Sequence, residues 1–202
     1  MKTLFLLGTF TAMILAFSGD SSMSSTKVVV ARSETVTVQT TPRFSSRYTR
    51  LTGRGCGSGM TKKEEREAEK HGSDIPTRCK GPGGYDIFIT YSACNSYIGA
   101  EKGSDSIPLA SQSVAWKQQT VEWRMAQAST NAKTVPFAVI MREYEYAGDD
   151  HCATGGKVTA EFLIVKGLDG FEHIDEKIDL RKTRNPNLKA RQIADKKYGM
   201  SL

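Results

Sequence analysis

Tyr85-Asp86-Ile87-Phe88-Ile89-Thr90-Tyr91-Ser92 is the stretch that decides the fold. Tyr85, Ile87, Ile89 and Tyr91 hold alternate positions, with Asp86, Phe88, Thr90 and Ser92 between them. Successive side chains of an extended chain leave on opposite faces, so a period of two gathers the first set on one side of a strand. A helix repeats every 3.6 residues and would scatter that set around its surface. The stretch therefore predicts a strand. Gly81-Pro82-Gly83-Gly84, just before it, predicts a tight turn that feeds it.

The same period recurs downstream. Val121, Trp123 and Met125 alternate with Thr120, Glu122 and Arg124. Phe137, Val139 and Met141 oppose Ala138 and Ile140, an apolar run suited to a central strand. Val158, Ala160, Phe162 and Ile164 form another strand, ending at Gly167, and Phe171 to Ile178 offers one more. Ser129-Thr130-Asn131, Gly148-Asp149-Asp150 and Gly155-Gly156 separate these runs. No long crossover helix intervenes, which favours hairpins and an antiparallel sheet. The chain then closes on a helix. Asn185 is placed as its N-cap and Pro186 at its first position. Leu188, Ala190, Ile193, Ala194 and Tyr198 supply an apolar face for docking, and Gly199 stands where the helix would end. The expected class is α+β: mainly antiparallel sheet, as a small barrel or sandwich, with a C-terminal helix.

Upstream, Thr61 to Gly72 reads TKKEEREAEKHG. Thr61 and Glu64 fit a capping box, but the segment has almost no apolar face. A short solvated helix or loop is expected. Gly19 to Ser46 is rich in Ser and Thr and reads as a flexible leader, with an added edge strand as the alternative. The folded domain is expected to begin at Arg47 and run to Leu202. Met1 to Ser18 has one early cation, an apolar run from Leu4 to Phe17, and small residues at Ala16 and Ser18. That is the layout of a secretory signal peptide. The run is shorter than the ~20 apolar residues that span a bilayer. An exported product, periplasmic or extracellular and without a membrane span in its mature form, is expected.

Four cysteines, Cys56, Cys79, Cys94 and Cys152, suit two disulfides in an oxidising compartment. Three pairings are open to them. Cys56 with Cys79, and Cys94 with Cys152, is favoured because the first pair brackets the polar insert. No C-x-x-C occurs, and His71, His151 and His173 are scattered, so no metal site is expected.

The chain carries 28 Lys and Arg against 22 Asp and Glu, a formal charge of +6. From Arg181 onward there are seven cations: Arg181, Lys182, Arg184, Lys189, Arg191, Lys196 and Lys197. Asp195 is the one anion there, so the other 21 cations and 21 anions balance. The excess belongs to the C-terminal element. It reads as a basic surface for an anionic envelope component or another protein. No aromatic residues interleave to stack bases, and no nucleic-acid role is expected.

Phosphate-loop, dinucleotide and zinc-protease motifs do not occur, and neither does a nucleophile elbow. Ser58 lies between two glycines without a base nearby in sequence. Asp149-Asp150-His151-Cys152 reads as a turn that carries a disulfide. Glu143 and Glu145, two apart on one strand face, read as strand-end charges, and Trp116 and Trp123 as core or edge aromatics. No catalytic residue and no cofactor is assigned.

Three segments together resemble a group of small exported bacterial proteins without an assigned activity: RCKGPGGYDIFI (Arg78 to Ile89), VEWRM with PFAVIMRE (Val121 to Glu143), and PNLKARQIAD (Pro186 to Asp195). The pattern is a cysteine with a glycine-rich turn and strand, then E-W-R, an apolar strand, and an A-R-x-I-A-D-like terminal helix. It covers about Tyr48 to Lys197 and implies one domain behind a signal peptide. This chain departs from it in the charged insert between Cys56 and Cys79, and in lacking a cysteine near its C-terminus. A shorter stretch, CKGPGGY to Tyr91, is similar to periplasmic inhibitors of C-type lysozyme. The functional expectation is an exported, non-enzymatic binding or envelope-associated protein. An inhibitor of a cell-wall hydrolase is the alternative, and a hydrolase the third.

Overall fold

A computed structural model describes residues 41–92, 95–113, 120–147 and 157–200. The chain forms β1 (Arg43–Arg50), β2 (Cys56–Gly57), α1 (Lys62–Lys70), β3 (Thr77–Lys80), β4 (Asp86–Ser92), β5 (Asn95–Lys102) and β6 (Asp105–Ser113). It continues with β7 (Thr120–Gln127), β8 (Val135–Tyr146), β9 (Val158–Gly167), β10 (Asp175–Asp179) and α2 (Pro186–Tyr198). Among the described residues there are two antiparallel sheets. One runs β1-β7-β8-β9-β10, the other β2-β3-β4-β5-β6. The class is the expected one, α+β with a sandwich of sheets and a C-terminal helix.

Alternation explains the layering. Tyr85, just before β4, and Ile87, Ile89, Ile98, Ala100 and Leu109 of the second sheet pack with Val121, Trp123, Met125, Val139, Met141 and Ile164 of the first. The intervening residues of the first sheet face the other way. Ala126, Ala138, Ile140, Leu163, Val165 and Ile178 pack with Ala190, Ala194 and Tyr198 of α2. The first sheet is thus the middle layer, covered on both sides, and β7 and β8 are its most enclosed strands.

Trp123 is fully buried and joins the two sheets. Its Nε1 donates to Thr49 Oγ1 at 3.0 Å, and that hydroxyl donates to the Lys80 carbonyl at 3.1 Å. Tyr85 packs beside the indole, ring centroids 5.9 Å apart. Gly81 has to be glycine here, because a Cβ would overlap the Trp123 ring. The turn after Cys79 is as expected, with Gly83 and Gly84 at positive φ.

The domain starts earlier than the sequence suggests. β1 begins at Arg43 and pairs with β7 along its whole length. Hydroxyl-rich composition hid it, because Ser45 and Ser46 enter the sheet through backbone pairing opposite Met125 and Arg124. Phe44 anchors the new start against Phe137 and Tyr198 at 5.7 and 5.4 Å between centroids. The pattern of Asn95–Ser113 does not announce β5 and β6 either. Gly99 and Pro108 interrupt it where the register shifts by a bulge. The last strand, β10, is confined to Asp175–Asp179.

The insert holds a nine-residue helix, α1, with no buried residue. Its capping box is complete: Thr61 Oγ1 accepts from Glu64 N at 3.3 Å and Glu64 Oε2 from Thr61 N at 2.7 Å. Cys56 and Cys79 stand opposite each other in β2 and β3 and form the expected disulfide. Cys94, Cys152, the signal segment and most of the leader lie outside the described residues. At α2, Asn185 precedes Pro186 as expected but makes no side-chain cap bond. It holds φ at 53°, a left-handed conformation that Asn tolerates better than most residues. Leu188, placed on the apolar face by sequence, is instead exposed.

Two outcomes follow. Gly167→Ala puts a Cβ into the Phe171 backbone carbonyl, whereas Gly57→Ala meets nothing within 4 Å. The first should cost about 2–3 kcal/mol or more by overpacking and the second well under 1 kcal/mol, read from urea unfolding midpoints. The Thr61 backbone N–H holds the Glu64 carboxyl below the usual glutamate range, helped by the Thr61 hydroxyl and opposed by slight burial. Its contribution to α1 is complete above the ordinary glutamate pKa and disappears as pH falls through the lowered value. Amide exchange across Lys62–Lys70 should quicken in that acid window more than the titration of exchange chemistry alone requires, and Glu64→Gln should abolish the difference.

Candidate functional site

Alternation sends Glu122 and Arg124 to the α2 side of β7, on either side of the inward Trp123. Both are buried, with 7% and 5% of their surface exposed. Arg124 donates through Nη2 to both carboxylate oxygens of Asp195 at 2.7 Å, and through Nε to Oδ1 at 3.1 Å. Its Nη1 donates to Ser46 Oγ at 2.6 Å, and Ser46 donates to Glu122 Oε1 at 2.5 Å. Glu122 in turn receives Arg191 on both oxygens, Nε at 2.7 Å and Nη2 at 3.0 Å. Arg191 Nη2 also donates to Tyr48 Oη at 3.1 Å. Two cations and two anions from β7 and α2 therefore interlock, with β1 supplying the hydroxyls.

Arg191 and Asp195 are four apart and share one side of α2. Ala190 and Ala194 on the neighbouring face are fully buried, which lets the helix backbone come close enough for both charged chains to reach β7. The Glu122 hydrogen bonds raise the Arg191 pKa, outweighing the opposing effect of burial, with Tyr48 assisting. The E-W-R segment and the A-R-x-I-A-D segment are thus two halves of one contact. Sequence reasoning recorded both without joining them. The available signal was reciprocal charge: Glu and Arg two apart on a strand, Arg and Asp four apart on a helix.

The contact sorts the cations of the expected basic surface by their partners. Arg191 belongs to the lock, paired with buried Glu122 while its own side chain stays 36% exposed. Lys197 Nζ donates to the Asp175 carbonyl at 3.1 Å and to Glu176 at 3.2 Å. Lys182 lies 3.3 Å from Asp179. Docking of α2 beside β7 and β10 supplies carboxylates to Arg191 and Lys197, whereas the Lys182 partner is local, three residues away. Arg181, Arg184, Lys189 and Lys196 remain exposed, with no ion pair among the described residues. Lys189 and Lys196 are seven apart, two turns along one helix side.

The C-terminal end of α2 packs through Tyr198 on Phe44, Phe137 and Phe171. Its N-terminal half borders a cavity of 390 Å³ on the same face of the first sheet. Tyr48, Glu122 and Ile140 lie in register across β1, β7 and β8, Arg142 opposite Leu163, and Tyr144 opposite Glu161. Ile140 and Leu163 give the cavity an apolar floor; Tyr48, Thr120, Arg142, Tyr144, Asn187 and Arg191 stand around it. Arg142 is paired with Glu161. A second, more apolar groove of 500 Å³ runs beside the β6 edge, with Phe88, Tyr97, Pro108 and Ile164 among its lining.

Other residues that could carry chemistry have structural partners. Lys177 bridges Glu143 at 2.7 Å and Glu145 at 3.1 Å and lies 4.1 Å from the Phe162 ring centre. Burial pulls the Lys177 pKa down, but the hydrogen bonds of Glu143 and Glu145 win and raise it. Ser58 donates to Glu65 and accepts from Met60 N at 3.0 Å, tying its loop to α1. The turn at Gly81–Tyr85 packs inward on Trp123 and Pro136. His151, Trp116 and the Asp149–Cys152 cluster lie outside the described residues.

No protein-family model, curated protein or solved structure matches this chain.

Asp195→Asn should lower stability by about 3 kcal/mol in urea unfolding, because Arg124 stays buried beside a partner without charge. Pairing Arg124→Met with Asp195→Leu should recover most of that loss. A double variant as unstable as the single one would show that lost helix packing, not the unpaired charge, is responsible.

Proposed function

We propose that this is an exported, non-enzymatic binding protein that associates with an anionic component of a cell envelope. The observation that carries the reading is the set of exposed cations left after α2 has docked: Arg181 and Arg184 ahead of the helix, Lys189 and Lys196 on its outer side. Like-signed charges gathered on one element attract polyanions and anionic surfaces without a shaped pocket. The Cys56–Cys79 disulfide is compatible with an oxidising compartment, and among the described residues no helix is long and apolar enough to cross a membrane. The signal-like first residues and the resemblance to small exported bacterial proteins support the same reading.

Co-sedimentation with vesicles tests it. The protein should bind vesicles of phosphatidylglycerol mixed with phosphatidylcholine, should ignore pure phosphatidylcholine, and should release as salt is raised. Replacing Lys189 and Lys196 together by Gln should cost about 2 kcal/mol at low salt, roughly 30-fold in affinity. Binding that survives this change removes the basis of the reading. Inhibition of a C-type lysozyme without vesicle binding would favour the hydrolase-inhibitor alternative.

A further inference from the structure

We infer that the outer edge of β1 is a track for a linear polymer that carries phosphates in its backbone. The inference rests on the reading that the partner is anionic and names its class, but it uses a different surface from the outer side of α2.

The first observation is segregated charge. Ahead of Arg181 the cations and anions balance in number but not in place. Thr41 to Thr61 contains four cations, Arg43, Arg47, Arg50 and Arg54, and no Asp or Glu. All four are exposed, and none of their side chains has an ion pair or hydrogen bond among the described residues. Their charge is unmatched, unlike that of Arg142 and Arg191, which Glu161 and Glu122 satisfy. The opposite edge of the same sheet is built differently. β10 carries Asp175, Glu176, Lys177 and Asp179, both signs together, and each is in an ion pair. Mixed, paired charge is enough to blunt an edge against another strand. A run of one sign, all guanidinium and none of it paired, goes beyond that need.

The second observation is placement. β1 ends the first sheet, with β7 on one side and no strand on the other among the described residues. Arg43 and Arg47 stand opposite Gln127 and Trp123 and leave on the sandwich side; Arg50 stands opposite Thr120 and leaves on the α2 side. Guanidinium groups therefore flank the edge from both faces. At roughly 3.4 Å per residue, Arg43 and Arg47 are about 14 Å apart along the strand and Arg47 and Arg50 about 10 Å.

The third observation is rigidity. The residues between the arginines are fastened: Phe44 on Phe137 and Tyr198, Ser46 and Tyr48 to the ion-pair lock, Thr49 on Trp123. The arginines hang from a strand that is ordered before a ligand arrives, which lowers the entropic cost of binding.

These features select the partner. A row about 24 Å long is met in full only by a chain. Because the forks come from both faces of the edge, each anion has to offer oxygens on two sides. A tetrahedral phosphate does so, whereas a planar carboxylate presents one edge. Charge within a polymer backbone follows the line of the strand; sulfates hung from a sugar chain stand off it. A flat bilayer is a poorer fit. The outer side of α2 faces away from the sheet, while the β1 edge looks out in the plane of the sheet, so one membrane does not meet both.

Calorimetry of the full chain with long-chain inorganic polyphosphate tests the inference. Tripolyphosphate, poly-L-glutamate, heparin and oligothymidylate, matched in charge concentration, are the comparison probes. Polyphosphate should bind saturably, shift the backbone amides of Arg43–Arg50, and bind about tenfold more tightly than each comparison probe. Arg43→Gln, Arg47→Gln and Arg50→Gln should each weaken it about fivefold, and the triple variant roughly 100-fold. Each replacement should also lower the slope of log affinity against log salt by about one. Ser45→Glu leaves every arginine in place and sets a carboxylate between Arg43 and Arg47. It should weaken binding about fivefold as well, and it decides alone should the triple variant fail to fold. Vesicle binding should be unchanged in the triple variant, and polyphosphate binding unchanged in the Lys189→Gln, Lys196→Gln pair, so failure here and failure of the envelope reading are separable. Equal or tighter binding of any comparison probe overturns the inference, oligothymidylate in favour of a nucleic acid and heparin in favour of a sulfated glycan. So does an affinity indifferent to the β1 variants.

Discussion

Four charged side chains, Arg124, Asp195, Glu122 and Arg191, hold this fold to one arrangement. Their net charge is zero, and the hydroxyl of Ser46 bridges the two pairs. Charge this enclosed is costly to leave unmatched, so α2 has one acceptable position along β7. A purely apolar interface between Ala190, Ala194 and the sheet would allow the helix to slide by a turn. The bidentate geometry of both arginines forbids it. The apolar layers supply most of the driving force; the ion pairs set the register.

This arrangement changes what the positive charge of the chain means. Counting along the sequence places an excess of +6 after Leu180. Folding divides those cations by role. Arg191 is committed to Glu122 and Lys197 becomes a strap across β10, while Lys189 and Lys196 keep the outward side. Lys182 is drawn toward Asp179. Surface character therefore depends on which carboxylates the docked helix meets, a fact of tertiary structure that composition does not contain.

Period-two alternation made β4, β7, β8 and β9 legible, because each has an apolar set facing the sandwich core. Legibility failed where packing is carried by something other than large side chains. β1 enters through serines and backbone pairing, and Asn95–Ser113 is broken by Gly99 and Pro108 at a bulge. The capping box of α1, the Cys56–Cys79 pairing and the position of α2 were readable from local chemistry. The cavity was not, since Tyr48, Thr120, Arg142 and Asn187 come from four separate elements that only the sheet order and the docking of α2 bring together.

β1 is sealed by residues near the other end of the chain. Arg191 reaches Tyr48 across 143 positions, and the Arg124–Asp195 pair spans 71. A ribosome delivers roughly 5–20 residues each second, so β1 is made roughly 7–30 s before the helix that secures it. During that interval the first strand has no lock, and the arginine on β7 has no carboxylate. The domain is therefore complete only once its last helix has been synthesised.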